Sequence, residues 1–447
     1  MNKPIAALLT LLFTLSACAI PTAPQTEIPA PATPPASTNT PTQTSLPTQT
    51  STPEVSASWM CVDEACLAEG MQLEFLIVTR PAFVEALQPY IDWKSGNGFR
   101  VGLVTVEWLQ TAFDGRHLAE KMKTGMHELR RRTGFEYALL VGDTVVTPTN
   151  LYETPLANLL ASYDLSNAWN VPTGFYRRFN ADPATVVLPS DAYFVEDRDW
   201  DPENTGLNPR PDNMEGGEGT LQADLYVGRW PARTVAELEM VMQKTMAMSP
   251  VDSLFVAADE SSFGTNHCPS WPPPPGCAMA CYQNVVQLWQ EPISADEGPF
   301  LTTERMLVDR NDPAQTAALL ERILANEDVM VLNFHGNLVC LGIQASDCLG
   351  PASFPFENDF PLLEIQACLV GNFTHPTRSF TESLFFAPHG PAMISLAPVP
   401  MLFLRDLRAG SSVGKAYWGT ASVWIYWPNP LLLLGDPSLP VFVPPAP

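Results

Sequence analysis

VMVLNFHGN, residues 329–337, and PLLEIQACLVGNF, residues 361–373, are two short apolar runs that each end in a reactive side chain. The first leads into His335 and Gly336, the second into Cys368, 33 positions further on (335 to 368). Continuous apolar runs of this length, bounded by turn residues, read as buried strands of a parallel sheet. Functional groups of open α/β sheets collect just beyond the C-terminal ends of such strands. An imidazole and a thiol delivered there make a base and a nucleophile.

Outward from this pair the chain alternates. Strands are expected at 73–79, 99–106, 137–141, 223–230, 254–258 and 391–399, and a closing run at 431–443. Helices are expected at 81–98, 118–133, 234–248, 312–326, about 379–386 and 413–424, with Asp312 as N-cap and Pro313 in the first turn. This alternation predicts a doubly wound, mostly parallel sheet covered by helices on both faces. A subdomain boundary is placed near Pro250, giving an N-terminal α/β subdomain at 58–250 and a second one, carrying the reactive pair, at 251–447.

The start of the chain reads differently. Lys3, an apolar stretch over 5–15 and Leu15-Ser16-Ala17-Cys18 resemble a bacterial lipoprotein signal, with Cys18 as the lipidated residue. An ordinary signal peptide with an incidental Cys is the plain alternative. Residues 19–57 are nearly all Pro, Thr, Ser, Ala and Gln, a composition that buries no core and suits an extended tether. The expected location is therefore extracytoplasmic, lipid-anchored at the cell surface. A formal charge of −24, from 24 Lys+Arg against 48 Asp+Glu, argues against a nucleic-acid partner, since phosphates demand basic groups.

Nine cysteines suit an oxidising exterior. Cys61/Cys66 and Cys340/Cys348 are close enough in sequence for local bridges, and two of Cys268, Cys277 and Cys281 could pair across SWPPPPG. With His267 that trio matches no familiar zinc spacing.

Eight segments in order make the chain similar to the gingipain-type cysteine peptidase family, whose fold is related to that of caspases. They are FLIVTRPAFVEALQPYIDWKSGNGFRV (75–101), YALLVGD (137–143), LPSDAYF (188–194), LYVGRWPARTVAELEMVMQKT (225–245), NFHG (333–336), EIQACLVGNF (364–373), SFTESLFFAPHGPAMISLAP (379–398) and LLGDPSLPVF (433–442). The resemblance implies a caspase/gingipain-like three-layer α/β/α fold with two adjacent mostly parallel-sheet subdomains. It implies Cys368 as nucleophile, His335 as the group that protonates the leaving amine, and the backbone N–H groups of Gly336 and Cys368 as oxyanion donors. Protein or peptide substrates follow, and no cofactor is required. Asp191, in LPSDAYF, is the acidic residue next in line, either orienting His335 or lining a pocket for a basic P1 side chain; a turn-capping Asp is the bland reading. One departure is Phe334, where the family has Gly, which raises the concern of a narrowed cleft.

Taken singly, Cys368 also reads as a small buried hydrophobe and His335 as a satisfied polar group. His375 and His389 are rival bases. Glu196, Asp197, Asp199 and Asp201 form an alternating acidic run that reads either as a structural calcium site or as a solvated loop. A surface endopeptidase is the leading expectation, against a sortase-like transpeptidase or a catalytically inactive binding protein of the same fold. Product ends separate the first two, and thiol labelling separates both from the third.

Overall fold

The computed structural model describes residues 71–144, 171–172, 174–177, 187–197, 223–259, 302–344, 348–367, 370–371, 378–396, 400–421 and 432–442. Its centre is a ten-stranded sheet in the order β2-β1-β3-β6-β14-β13-β12-β9-β7-β8. The strands of the first half are β1 (Phe75–Thr79), β2 (Val101–Thr105), β3 (Tyr137–Val141) and β6 (Tyr226–Trp230). Those of the second half are β7 (Ser253–Asp259), β8 (Thr302–Val308), β9 (Val329–Asn333), β12 (Phe360–Gln366) and β13 (Pro391–Ser395). The two-residue strand β14 (Leu433–Leu434) joins these two halves of one continuous sheet. It pairs antiparallel with β13 and meets β6 at Leu434–Arg229. Two small antiparallel pairs lie outside this sheet: β4 (Gly174–Arg177) with β5 (Val187–Ser190), and β10 (His335–Asn337) with β11 (Cys340–Gly342).

Alternate residues of each strand feed two cores, one on each face. Leu76 and Val78 belong to one, Phe75 and Ile77 to the other. Both faces are covered, so β1, β2, β9 and β12 are buried along their whole length and read as mainly apolar runs without polar alternation. On the first face lie α3 (Val106–Ala112), α4 (Leu118–Thr133), α5 (Ala192–Val195), α9 (Pro400–Arg408) and α10 (Val413–Ala421). On the second lie α1 (Pro81–Val84), α2 (Gln88–Gly96), α6 (Val235–Ala247), α7 (Pro313–Leu324) and α8 (Phe380–Phe385).

The helices start where their caps dictate. In α4, His117 Nδ1 accepts from Glu120 N at 3.1 Å, and Gly134 at φ 84° ends the helix in the left-handed region. Its apolar stripe of Ala119, Met122, Met126 and Leu129 is buried, worth roughly 1.5–3 kcal/mol for each of the larger side chains. Thr234 with Glu237, and Ser379 with Glu382, close capping boxes on α6 and α8. The single helix expected over 81–98 is instead two. Pro89 has no N–H to donate and its ring conflicts with the carbonyl four residues back, so the helix breaks and restarts with Pro89 in the first turn of α2.

Candidate active site

Strands β9 and β12 are parallel neighbours, with Asn333 opposite Gln366, and Phe334 N donates to Gln366 O at 3.2 Å. One strand is followed immediately by Phe334-His335, the other by Ala367-Cys368. Cys368 itself lies outside the described residues, but its flanks do not. A Cβ at Gly336 would stand 2.7 Å from Val370 Cγ1 and 2.8 Å from Ala367 Cβ. Glycine is therefore required for β10 to lie against the segment that carries the cysteine. Helix α8 holds both sides. Phe380 N donates to Leu338 O at 2.8 Å in the His335 hairpin, and Thr381 N and Oγ1 donate to Val370 O at 3.2 and 3.1 Å.

His335 opens the β10–β11 hairpin opposite Gly342 and is exposed. Burial of part of its ring lowers its pKa first; the Arg310 guanidinium lowers it further, and the Asp259 carboxylate opposes both. Arg310 Nε lies 2.5 Å from Asp259 Oδ2, and its Nη1 donates to Gly342 O at 3.4 Å. Asp259 ends β7, whose Ala258 pairs with Asn333 of β9, so this carboxylate belongs to the same sheet edge. Neither Asp259 nor Arg310 was expected from sequence. The signal was there for Asp259, which ends the apolar run LFVAAD as His335 and Cys368 follow theirs.

Beneath this edge the sheet is polar. Gln366 Nε2 and Ser395 Oγ both donate to the buried Glu364 carboxylate. Asn333 is fully buried, and among the described residues neither of its amide atoms meets a hydrogen-bond partner.

Phe334 turns its side chain into the core. It is 1% exposed and packs into the core with Leu332, Leu363 and Ile365. Asp191 is a correction. Its two oxygens accept from Arg229 Nε and Nη2 at 2.8 and 2.7 Å, both partners being buried. Arg229 also donates to the Gly142, Val171 and Pro172 carbonyls, so the pair is a structural knot. Arg229 belongs to β6, four strand positions from β9, roughly 19 Å at about 4.8 Å per strand. Asp191 neither orients His335 nor presents a free charge to a substrate. His389 sits at the other end of β12, where Gly390 O accepts from Phe360 N, roughly 20 Å from the strand's C-terminal end. His375 lies outside the described residues.

Of the acidic run, Glu196 is buried and Asp197 faces Arg131 at 3.5 Å, while Asp199 and Asp201 lie outside the described residues. Among the described residues no group of three or more His, Cys, Asp or Glu is placed to hold a metal ion. Cys340 and Cys348 form a disulfide with Cα atoms 5.4 Å apart. Cys18, Cys61, Cys66, His267, Cys268, Cys277 and Cys281 lie outside the described residues. No described helix is long and apolar enough to cross a membrane.

The fold is thus a mostly parallel three-layer α/β/α sheet in which His335 and Cys368 follow adjacent central strands in the sequence. The profile of Peptidase family C25 matches residues 69–442, and the chain belongs to that family. Its fold is shared with a solved complex of Porphyromonas gingivalis RgpB pro- and mature domains, at 14% identity and TM-score 0.52, covering 82% of this chain and 79% of that one. It is shared equally with the Arg-specific cysteine proteinase gingipain R, at 12% identity and TM-score 0.54, covering 84% and 79%. No curated protein matches the chain.

Proposed function

We propose that the protein is a surface-anchored cysteine endopeptidase that hydrolyses peptide bonds through Cys368 and His335. The observation that carries this is the packing of Gly336 between Ala367 and Val370, the residues flanking Cys368, one position after His335. A thiol titrates near 8.5 unaided and needs only a nearby imidazolium to become a thiolate, so a dyad suffices. Cys368 attacks the scissile carbonyl, His335 gives its proton to the leaving amine, and water then releases the acyl group with His335 as base. The N–H groups of Gly336 and Cys368 are the proposed oxyanion donors. Asp259, held by Arg310, stabilises the imidazolium electrostatically. A basic P1 preference rests on the Arg-specific relative alone, because Asp191 is committed to Arg229. Anchoring through Cys18, with 19–57 as tether, rests on the residues themselves.

The test is a mixed peptide library incubated with the protein and its Cys368→Ala variant, with and without calcium, the products read by mass spectrometry. Cleavage by the parent alone, with free carboxyl ends, is expected, and His335→Ala should lose about 10²–10⁴-fold. Products joined to an added amine would instead mark a transpeptidase. A folded parent that cuts nothing would overturn the reading, and calcium-dependent cutting would reopen the acidic run as a metal site.

A further inference from the structure

We infer that the Cys340–Cys348 disulfide is a positioning device for His335, and thereby makes the proposed peptidase sensitive to reductant at a second site besides its nucleophile. The inference rests on the Cys368/His335 reading for its catalytic consequence, but its structural part stands alone. His335 belongs to a three-residue antiparallel pair, β10–β11, outside the main sheet. A two-stranded pair of that length is marginal by itself and needs staples. At one end Gly342, opposite His335, is held through its carbonyl by Arg310. At the other end Cys340, opposite Asn337, is bonded to Cys348.

The bridge reaches the His335 strand directly. Asn337 lies two residues past His335, with Oδ1 3.1 Å from Cys340 Sγ and Nδ2 3.7 Å from Cys348 Sγ, so its amide spans the disulfide. The same Oδ1 accepts from Val339 N at 2.9 Å, shaping the hairpin turn. Beyond the bridge, Leu341 and Leu349 exchange two backbone hydrogen bonds of 2.9 Å, adding a third strand-like pairing that the closed loop holds in register. Cys348 is exposed, so a small dithiol can reach it. Reduction then passes two electrons and two protons to the pair: the reductant's thiols become its own disulfide, and Cys340 and Cys348 become free thiols. The loop closure that restrains Asn337 and β11 is lost, and His335 gains freedom relative to the flanks of Cys368.

Two opposed effects of a dithiol follow. Low concentrations keep Cys368 as a thiol and raise activity; higher ones open Cys340–Cys348 and lower it. The experiment compares the protein with Cys340→Ser/Cys348→Ser across a dithiothreitol series. It follows peptide hydrolysis against pH, differential alkylation of each cysteine, and hydrogen exchange of peptides covering 335–343. For the double variant a kcat lower by about tenfold is expected at similar KM, with a shifted pH limb, faster exchange at 335–343 and no falling phase with reductant. Equal kcat, equal pH limb and unchanged exchange would overturn the inference. If the variant fails to fold, the parent's own falling phase, matched against the alkylated fraction of Cys340 and Cys348, decides the matter. If the parent cleaves nothing, the peptidase reading falls while exchange still judges the clip: faster exchange on reduction supports it and unchanged exchange overturns it.

Discussion

At His335 the imidazole feels burial and the Arg310 charge in one direction and Asp259 in the other. Both depressing influences favour the neutral ring, whereas protonation of a leaving amine needs the imidazolium. The basic limb of the activity profile should therefore sit below the limb of an unperturbed histidine. Arg310→Gln removes one depressing charge and frees Asp259 from its pair, so the folded pKa of His335 rises. The limb is expected to move to higher pH, while the acidic limb, set by the thiol, moves less. A pH profile of kcat/KM for the two proteins measures this; no shift, or a downward one, would remove Arg310 from the electrostatics of the site. Residues of this kind were only partly legible. His335 and Cys368 stand out in the sequence as candidates because they follow apolar runs, and Asp259 ends a run of the same kind. Asp191 misled because its partner Arg229 lies 38 positions away, a pairing that only the assembled sheet creates.

Elements were legible where burial is complete on both faces, since β9 and β12 can hardly be anything but strands. They were less so where competing rules meet. Thr105 ends β2 and its Oγ1 accepts from Trp108 N at 3.2 Å, so α3 begins at Val106, a residue that strand propensity claims for β2. β8 was missed because, as an edge strand, it keeps Glu304 and Arg305 exposed and lacks an apolar run. The β10–β11 hairpin is too short to show any period. Its placement depends on Gly336, which supplies the element-scale prediction. In Gly336→Ala the new methyl meets Val370 and Ala367 inside 3 Å, and both belong to packed segments. Either β10 lifts away from the cysteine-bearing segment or the overpacking is absorbed at about 1–3 kcal/mol. Activity is expected to fall at least about 100-fold, in line with the effect of misplacing a catalytic group by an ångström. Thermal unfolding together with kcat separates the two responses, and a variant with native activity would show that the hairpin has slack the packing denies.

Across the whole molecule the least foreseeable feature is β14, a two-residue strand from the far end of the chain wedged between the two halves of the sheet. The closing run was visible as apolar, but nothing local says that it inserts at the centre. The turn that follows it is gripped by the first half. Lys94 Nζ lies 2.5 Å from Asp436 Oδ2, Tyr90 Oη donates to the same oxygen at 2.7 Å, and Ser438 N and Oγ donate to Asp436 Oδ1 at 2.9 and 2.7 Å. Gly228 of β6 approaches the Gly435 carbonyl so closely that any side chain there would collide with it. Helix α2, strand β6 and the closing turn thus form one knot on which the junction of the halves depends. Burial lowers the pKa of Lys94 and Asp436 opposes that shift, so the ammonium is tolerated only because its counter-charge is present. Asp436→Asn keeps the shape but removes that charge and turns one of the two accepting oxygens into a donor. It is expected to lose about 3–5 kcal/mol near neutral pH, the effect of breaking a buried pair from one side. With the lysine's folded pKa depressed further below 10.5, the unfolded state binds the extra proton between the two values, so the variant's stability should rise with pH across that window. Guanidinium unfolding from pH 7 to pH 10 measures this. A deficit that narrows toward pH 10, with secondary structure and peptidase activity lost together, fits a junction shared by both halves. A pH-independent deficit, or activity that outlasts the first half of the sheet, would mean that the second half stands without the knot.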